Sequence, residues 1–354
     1  MKVGLIDLAA QYRAHQPEID AAVTRVLASG RYVLGEEVTS FEAEIASDLG
    51  RKHGIGVSSG SDALLATLWA LGVGPGDEVV TTTLSFFASV GAIVRLGATP
   101  VFADIDGLTL QIDFADAERR ITHKTKALVA VPLFGRPLPL PTMQVPVVID
   151  GAQAIGCPHL GLPAIATTLS FFPTKNLGAV GDGGMILTDD DALADKLRVM
   201  RQHGSRPKYV HHLVGGNFRL DALQAAILRA KRPHLRGWLD ARRRNAARYR
   251  DALSTTPLQL PVDEPGHVYH HFVVRAPRRE ALRTHLSAAE IETEVYYPLP
   301  LHQQPCFADL GLGSLPVAEC AATEVLALPV HPELSAAQID HVVATIKAFY
   351  AHNP

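Results

Sequence analysis

The run Val145-Pro146-Val147-Val148-Ile149-Asp150 is an apolar stretch that ends on a single acid. Its valine and isoleucine content is typical of a strand buried on both faces of a sheet. Further short β-rich runs alternate with helical stretches around it, at residues 78–83, 99–103, 127–133, 168–172 and 184–188. That alternation predicts a parallel sheet covered by helices, which is an α/β fold.

Length and composition bound the class of protein. A chain of 354 residues is long enough for one large domain and a smaller one. Apolar residues make up 47% of it and charged residues 19%, which excludes disordered, collagen-like and disulfide-scaffold proteins. Because the pattern changes near residue 240, we predict a large domain over residues 1–240, with a helical segment at its start, and a small C-terminal α+β domain over residues 241–354.

Charge and cysteine usage narrow the possible partners. The formal net charge of −3 argues against a surface built to neutralise nucleic acid. We also expect no signal peptide and no membrane span, because the sequence has no unbroken apolar window of about 18 residues. The three cysteines, Cys157, Cys306 and Cys320, form no CxxC pair, and no spacing suggests a metal site. A cytoplasmic enzyme without a metal fits these features best.

The segment Ser58-Ser59-Gly60-Ser61-Asp62 opens a helix that is apolar on nearly every face. Free backbone N–H groups at a helix start, beside small hydroxyl residues and a glycine, suit a phosphate. The same residues are equally typical of a simple N-cap by one of the serines. Gly54, Gly56 and Gly60 also come within one residue of the G-x-G-x-x-G spacing, which keeps a nicotinamide dehydrogenase as an alternative.

Asp150 and Lys175 are each ambiguous alone but are informative when they are considered together. Asp150 stands at the carboxyl end of its predicted strand, where open α/β sheets bind ligands, although an acid that caps the next turn explains it as simply. Lys175 follows two aromatic residues and a proline, and taken alone it is more typical of the surface. A phosphate cradle, a strand-end carboxylate and a loop lysine are nevertheless what pyridoxal phosphate requires: an anion anchor, a partner for its pyridinium nitrogen and a Schiff-base amine.

Ordered motifs along nearly the whole chain make this combination specific. They occupy residues 30–35, 60–64, 74–79, 150–153, 170–175, 181–184, 217–221, 224–226 and 297–302. With these motifs the sequence resembles the DegT/DnrJ/EryC1/StrS family of pyridoxal-phosphate-dependent sugar aminotransferases. The resemblance implies the fold-type I architecture of aspartate aminotransferase-like enzymes, in which helices sandwich a mostly parallel sheet and a smaller α+β domain follows.

The resemblance also implies a role for each matched residue. Lys175 would form the internal aldimine and serve as the base that transfers the proton, while Asp150 would pair with the pyridinium nitrogen. The other implied cofactor contacts are Gly60, Ser61 and Ser170 at the phosphate, Phe86 on the ring face, Gln153 at the phenolic oxygen, and Asn217 at the cofactor of a partner subunit. That last role implies a homodimer with shared active sites.

The implied reaction transfers an amino group from glutamate to a keto group on a nucleotide-linked sugar. Relatives that dehydrate sugars carry histidine where this chain has Lys175, so amination is favoured over dehydration. The spacing within residues 208–217 and the run 296–302 resemble members that act on 3-keto hexoses or 6-deoxyhexoses. The candidates near substrate are Arg219, Tyr297 and His302, with core packing equally open for Tyr297. A 4-keto-sugar or cyclitol aminotransferase, and a non-catalytic regulator that keeps the fold, remain alternatives.

Two segments depart from the family pattern. Residues 134–146 contain four prolines where relatives have a helix, and proline removes a donor and blocks helix, so we expect an extended loop there. Residues 154–169 are shorter than in relatives. Both segments leave cofactor binding intact in this prediction, while the shape of the substrate pocket and some dimer contacts become less certain.

Overall fold

The structure is a computed structural model that describes residues 1–352. Its strands are His53–Val57 (β1), Glu78–Thr82 (β2), Thr99–Ala103 (β3), Thr125–Ala130 (β4), Val147–Asp150 (β5), Ala166–Ser170 (β6), Gly184–Thr188 (β7), Phe272–Arg275 (β8) and Val325–Leu328 (β9). Its α-helices are Leu8–Ser29 (α1), Glu36–Asp48 (α2), Gly60–Ala70 (α3), Ala88–Arg95 (α4), Phe114–Arg119 (α5), Asp191–Met200 (α6), Ala222–Lys231 (α7), Leu235–Leu253 (α8), Arg279–Ala288 (α9), Pro316–Glu324 (α10) and Ala336–His352 (α11).

Seven strands form the central sheet, in the order β1-β7-β6-β5-β4-β2-β3. Five neighbouring strands of this sheet, β6, β5, β4, β2 and β3, pair in parallel. Strand β7 runs antiparallel to both of its neighbours, β6 and β1. The expected mostly parallel sheet is therefore confirmed. Since parallel strands end at one edge of a sheet, Asp150 at the end of β5 and Ser170 at the end of β6 lie at the same edge.

The predicted buried helix is α3, and seven of its eleven residues are buried. Ser59 is its N-cap, because the side-chain oxygen accepts a hydrogen bond from the backbone N–H of Asp62 at 3.0 Å. The cap satisfies one of the backbone N–H groups of the first turn that have no partner within the helix, and it leaves the other N–H groups free to bind an anion. The N-cap and the anion site are thus compatible properties of one segment.

A buried ion pair joins α2 to the strand before α3. Glu42 accepts a hydrogen bond from the backbone N–H of Gly56 at 2.7 Å and pairs with Arg201, which also donates to the carbonyl of Gly56 at 2.9 Å. Both charged side chains are less than a tenth exposed. These contacts fix the approach of the chain to the start of α3.

The small lobe contains β8, β9 and α9 to α11, and its core also includes Val3 from the start of the chain. Val3 forms a parallel bridge with Ile291, and its backbone bonds those of Glu290 and Glu292 at 2.9 Å each. The predicted boundary at residue 240 falls inside α8, whose Trp238 packs in the large-lobe core and Tyr249 in the small-lobe core. One helix therefore belongs to both lobes.

The prediction of an extended loop after β4 agrees with the structure. After a single 3-10 turn over Leu133–Gly135, residues 136–146 form no helix or strand. The helical segment predicted at the start of the chain includes α1, which begins at Leu8 and is interrupted at His15, two residues before Pro17. In residues 1–352 no helix combines the length and apolarity that a bilayer crossing requires.

Candidate active site

A cavity of about 700 Å³ opens at the carboxyl edge of the sheet, beneath the loop 294–298 of the small lobe. The sheet side of its lining comes from the start of α3, the ends of β5 and β6, and the loop that follows β6. The predicted residues among its walls are Gly60, Ser61, Phe86, Asp150, Gln153, Ser170, Lys175 and Tyr297. Gly60 and Lys175, which are 115 positions apart in the chain, thus converge because the strand ends of one sheet meet at one edge.

The start of α3 and the end of β6 form a close-fitting cradle. A Cβ atom added to Gly60 would lie 2.6 Å from the Cβ of Ser170, and one added to Gly184 would lie 2.3 Å from the carbonyl oxygen of Ser59. Both contacts are too short for a side chain, so glycine is required at these positions. The backbone N–H groups of the first turn and the hydroxyls of Ser61 and Ser170 then line a space suited to a phosphate.

Asp150 is buried and held by two donors. The hydroxyl of Ser89 donates to Oδ2 at 2.6 Å and the backbone N–H of Ala152 donates to Oδ1 at 3.2 Å. Burial raises the pKa of the Asp150 carboxyl, while these hydrogen bonds and the positive charge of Lys175 oppose that rise. A cation next to this carboxylate would stabilise its ionised form further.

Lys175 lies in a tight turn, in which its backbone N–H donates to the carbonyl of Phe172 at 2.8 Å. Burial lowers the pKa of its ammonium group, and the negative charge of Asp150 opposes the shift. The loop that follows is anchored from below, because the buried Lys231 of α7 donates a hydrogen bond to the carbonyl of Gly178. The amine is therefore placed on a rigid loop and is more easily deprotonated than a surface lysine.

Gln153 and Tyr297 connect the two lobes across the cavity. The side-chain N–H of Gln153 donates to the Tyr297 hydroxyl at 3.1 Å, and its carbonyl oxygen accepts from the backbone N–H of Phe134 at 2.7 Å. Phe86 stands next to Tyr297, with ring centroids 6.4 Å apart, and more than half of its surface is exposed. This supports a position at the cavity wall for all three residues.

Sequence reasoning missed several residues of this cavity. His270 and His271 line it from the start of β8, and His270 Nδ1 lies 3.3 Å from Asn176 Oδ1, next to Lys175 in the chain. Burial, together with the positive charge of Lys175, lowers the pKa of both histidines well below the usual value, so both are neutral near pH 7. Ser85 and Ser89 were also missed, since nothing in an isolated Ser-x-x-x-Ser spacing indicates a carboxylate partner.

Three predicted residues do not reach the cavity of this chain. His302 is buried elsewhere: its Nδ1 lies 2.6 Å from Thr83 Oγ1 and its Nε2 lies 3.0 Å from Glu319 Oε1. With both ring nitrogens engaged, His302 fastens the loop after residue 298 to Thr83 and to Glu319, and its role near substrate stays a prediction. Asn217 is exposed and Arg219 half-exposed, and neither lines the cavity.

The donor set of the cavity fits pyridoxal phosphate. The glycine-walled cradle offers backbone donors to a phosphate, Asp150 offers a carboxylate to a protonated ring nitrogen, and Lys175 offers an amine to an aldehyde. The cavity volume exceeds that of the cofactor alone and leaves space for a substrate.

Comparison with known proteins places these features in a family. The model of the DegT/DnrJ/EryC1/StrS aminotransferase family matches residues 13–347. A pleiotropic regulatory protein of Geobacillus stearothermophilus is 49% identical, over 99% of this chain and all of that one. A UDP-N-acetyl-3-dehydro-alpha-D-glucosamine 3-aminotransferase of Acidithiobacillus ferrooxidans is 41% identical, over 98% of this chain and 97% of that one.

Solved structures agree with the sequence matches. DesV of S. venezuelae, in complex with a ketimine intermediate, is 40% identical with a TM-score of 0.94, over 98% of both chains. NtdA of Bacillus subtilis, with bound cofactor PMP, is 31% identical with a TM-score of 0.93, over 98% of this chain and 85% of that one. The chain belongs to the DegT/DnrJ/EryC1/StrS aminotransferase family, whose cofactor is pyridoxal 5′-phosphate.

Proposed function

We propose that this aminotransferase takes its amino group from glutamate and transfers it to the 3-keto group of a nucleotide-linked hexose. One observation carries the proposal: Lys175, Asp150 and the cradle around Gly60 line the same cavity. The Acidithiobacillus ferrooxidans relative is named for a UDP-linked 3-dehydro sugar, which supports carbon 3 over carbon 4. The space beyond the cofactor residues, beside Glu294 and Tyr297, is where we place the sugar.

Pyridoxal phosphate, when bound, supplies an electron sink for the negative charge that develops at the carbon carrying the amine. Lys175 is the proposed cofactor-binding amine and proton carrier, because burial lowers the pKa of its ammonium group and so increases the fraction of free amine near neutral pH. Asp150 is proposed to keep the proton on the ring nitrogen of the cofactor. The hydroxyl of Ser89 holds the Asp150 carboxylate at 2.6 Å for that purpose.

Two other groups complete the proposed mechanism. Gln153 is fixed at both ends of its amide by Phe134 and Tyr297, which orients its N–H donor toward the cavity. His270 and His271 are neutral, so they add no positive charge beside Lys175 that would compete for Asp150. The buried ring of His270 also excludes water from that side of the amine.

We further propose a homodimer in which Asn217 reaches the active site of the partner subunit. Asn217 is exposed and lies outside the cavity of its own chain. Phe86 and Phe172 line the cavity yet remain 57% and 49% exposed, which leaves apolar surface for a second copy to cover. Sedimentation velocity on the wild-type chain tests the dimer, and an Asn217→Ala variant tests the shared site through its affinity for the cofactor.

Half-transamination tests the substrate. The enzyme is first loaded with amine from glutamate, followed by absorbance of the cofactor, and is then offered a panel of 3-keto and 4-keto nucleotide sugars and a keto cyclitol. We expect the 3-keto nucleotide sugars to restore the original spectrum fastest. Faster recovery with a 4-keto sugar or a cyclitol would reassign the substrate, and no conversion by glutamate would favour a regulator.

The lysine assignment has its own control. Borohydride should fix the cofactor covalently to the wild-type chain and to a Lys124→Ala variant, in which an exposed surface lysine is removed. It should fix nothing to a Lys175→Ala variant. Covalent fixation in the Lys175→Ala protein would show that another residue binds the cofactor.

A further inference from the structure

A second cluster of ligand-type side chains lies where α1 meets the turn after α7. His15 and Glu18 belong to α1, and His234 belongs to the short 3-10 turn Arg232–His234. Each offers one ligand atom, and the three atoms lie within 4.8 Å of one another. Among residues 1–352 no other set of three histidine, cysteine or acidic side chains converges in this way, and none of these three lines the active-site cavity.

The backbone brings the three residues together for separate reasons. Glu18 follows His15 by three positions, which places both on one face of α1. The helix is interrupted at His15, where φ is −124° and ψ is 16°, next to Pro17. His234 arrives from 216 positions away, with its Nε2 at 2.6 Å from Glu18 Oε2. The rings of His15 and His234 face each other, with centroids 3.9 Å apart.

Two imidazoles and one carboxylate are an established zinc donor set. With ligand distances of about 2.0–2.2 Å, neighbouring ligand atoms around a tetrahedral zinc ion lie roughly 3.3 Å apart. The three ligand atoms of the cluster lie within 4.8 Å of one another, and the Glu18–His234 pair is at 2.6 Å, so small side-chain rotations bring them to that spacing. Glu18 is exposed, which leaves its side chain room to rotate.

The surroundings leave the ligands available. The ring of His15 makes no hydrogen bond to any described residue, and its contacts are with the rings of His234 and Trp238. Besides Glu18 and His234, the charges that act on His15 are Lys231 and Glu333, which are opposite in sign.

We propose that His15, Glu18 and His234 bind a divalent cation of the zinc class, with water completing its coordination. The ion links α1 to the α7–α8 turn, two segments that otherwise meet here through a single hydrogen bond and ring contacts. Because the ion binds the folded chain and not the unfolded one, it stabilises the fold, and the stabilisation grows with the logarithm of its concentration above the dissociation constant.

Trp238 provides a local probe for the test. Its ring centroid lies 5.4 Å from that of His15 and 6.0 Å from that of His234, and the chain has only one other tryptophan, Trp69. In a Trp69→Phe holoenzyme, Cu²⁺ at one equivalent per chain should quench the fluorescence of Trp238, and excess Zn²⁺ should reverse the quenching. Calorimetric titration with ZnCl₂ gives the stoichiometry and affinity.

The variants His15→Ala, His234→Ala and Glu18→Gln should each weaken zinc binding at least about tenfold and remove the zinc-induced rise in melting temperature. A His123→Ala variant, which removes an exposed histidine outside the cluster, should behave as wild type. Glu18→Gln keeps the size and exposure of the side chain, so it tests the ligand even where a histidine variant folds poorly. Equal zinc affinity in Glu18→Gln and wild type, or loss of binding in His123→Ala, would overturn the proposal.

Discussion

The hydroxyl of Ser89 offers the sharpest test of how the chain controls Asp150. It donates to the carboxylate at 2.6 Å, both residues are buried, and a Ser89→Ala substitution removes this donor, together with the contact to Ser85, without adding volume. A hydrogen bond to a charged group contributes about 1.5–3 kcal/mol. Because the bond favours the ionised carboxylate, its loss raises the pKa of Asp150 beyond the rise that burial already causes.

The direction of the change in activity follows because the Asp150 carboxyl must be ionised for its proposed role. An acid with a raised pKa becomes neutral at a higher pH, so activity in the Ser89→Ala variant should be lost earlier as the pH falls. At 1.36 kcal/mol per pH unit, 1.5–3 kcal/mol corresponds to a shift of about 1–2 pH units in the acid limb. The same energy corresponds to a decrease of about 10- to 150-fold in the rate of the glutamate half-reaction.

The assay is the pH profile of that half-reaction, followed by the absorbance of the cofactor. Ser85→Ala is the matched comparison, because Ser85 Oγ lies 3.1 Å from Ser89 Oγ and makes no contact with Asp150. We expect a smaller shift there. An unchanged acid limb and an unchanged rate in Ser89→Ala, or an equal effect from Ser85→Ala, would refute the role of Ser89.

Three further outcomes follow from the geometry. Gly60→Ala should reduce cofactor affinity, because its Cβ would lie 2.6 Å from a neighbouring side chain. Gly74→Ala should leave the affinity unchanged, because no atom lies within 4 Å of the added Cβ. Equilibrium dialysis with free cofactor measures both affinities. Reconstitution of the apoenzyme should accelerate as the pH rises through the pKa of Lys175, with a midpoint below the ordinary value of about 10.4; a higher midpoint would contradict the burial argument. Glu42→Gln should destabilise the fold by about 3–5 kcal/mol, because it leaves its arginine partner buried without a counter-charge. The exposed pair broken by Asp195→Asn should cost less than about 1 kcal/mol, and thermal melts compare the two.

Local patterns were enough to predict the frame of the site. Asp150 ends an apolar strand, and Ser59 to Ser61 open a buried helix, so both positions follow from rules that act within a few residues. The alternation of strands and helices then predicts that these ends meet. The mostly parallel sheet follows from that alternation, the cofactor from the set of cradle, carboxylate and lysine, and the family from the resemblance of its ordered motifs; the comparisons confirm the fold and the family.

The contacts that could not be predicted from the sequence depend on long-range packing. Ser89 reaches Asp150 from 61 positions away and Tyr297 reaches Gln153 from 144, and no short spacing encodes either contact. His302 illustrates the same dependence, because its motif predicts a position near substrate while its ring contacts Thr83 and Glu319, which are 219 and 17 positions away. The antiparallel direction of β7 could not be predicted from its apolar run either, because strand direction is set by the connection between strands and not by composition.

The bridge between Val3 and Ile291 sets an order of events during synthesis. Val3 is synthesised about 290 residues before its partner, an interval of about 15–60 s at 5–20 residues per second. Throughout that interval the segment ahead of α1 has no partner to pair with, even after the large lobe has folded. Val3 therefore reaches its place only once Ile291 has been made, and until then its segment is accessible to a protease or chaperone that acts on nascent chains.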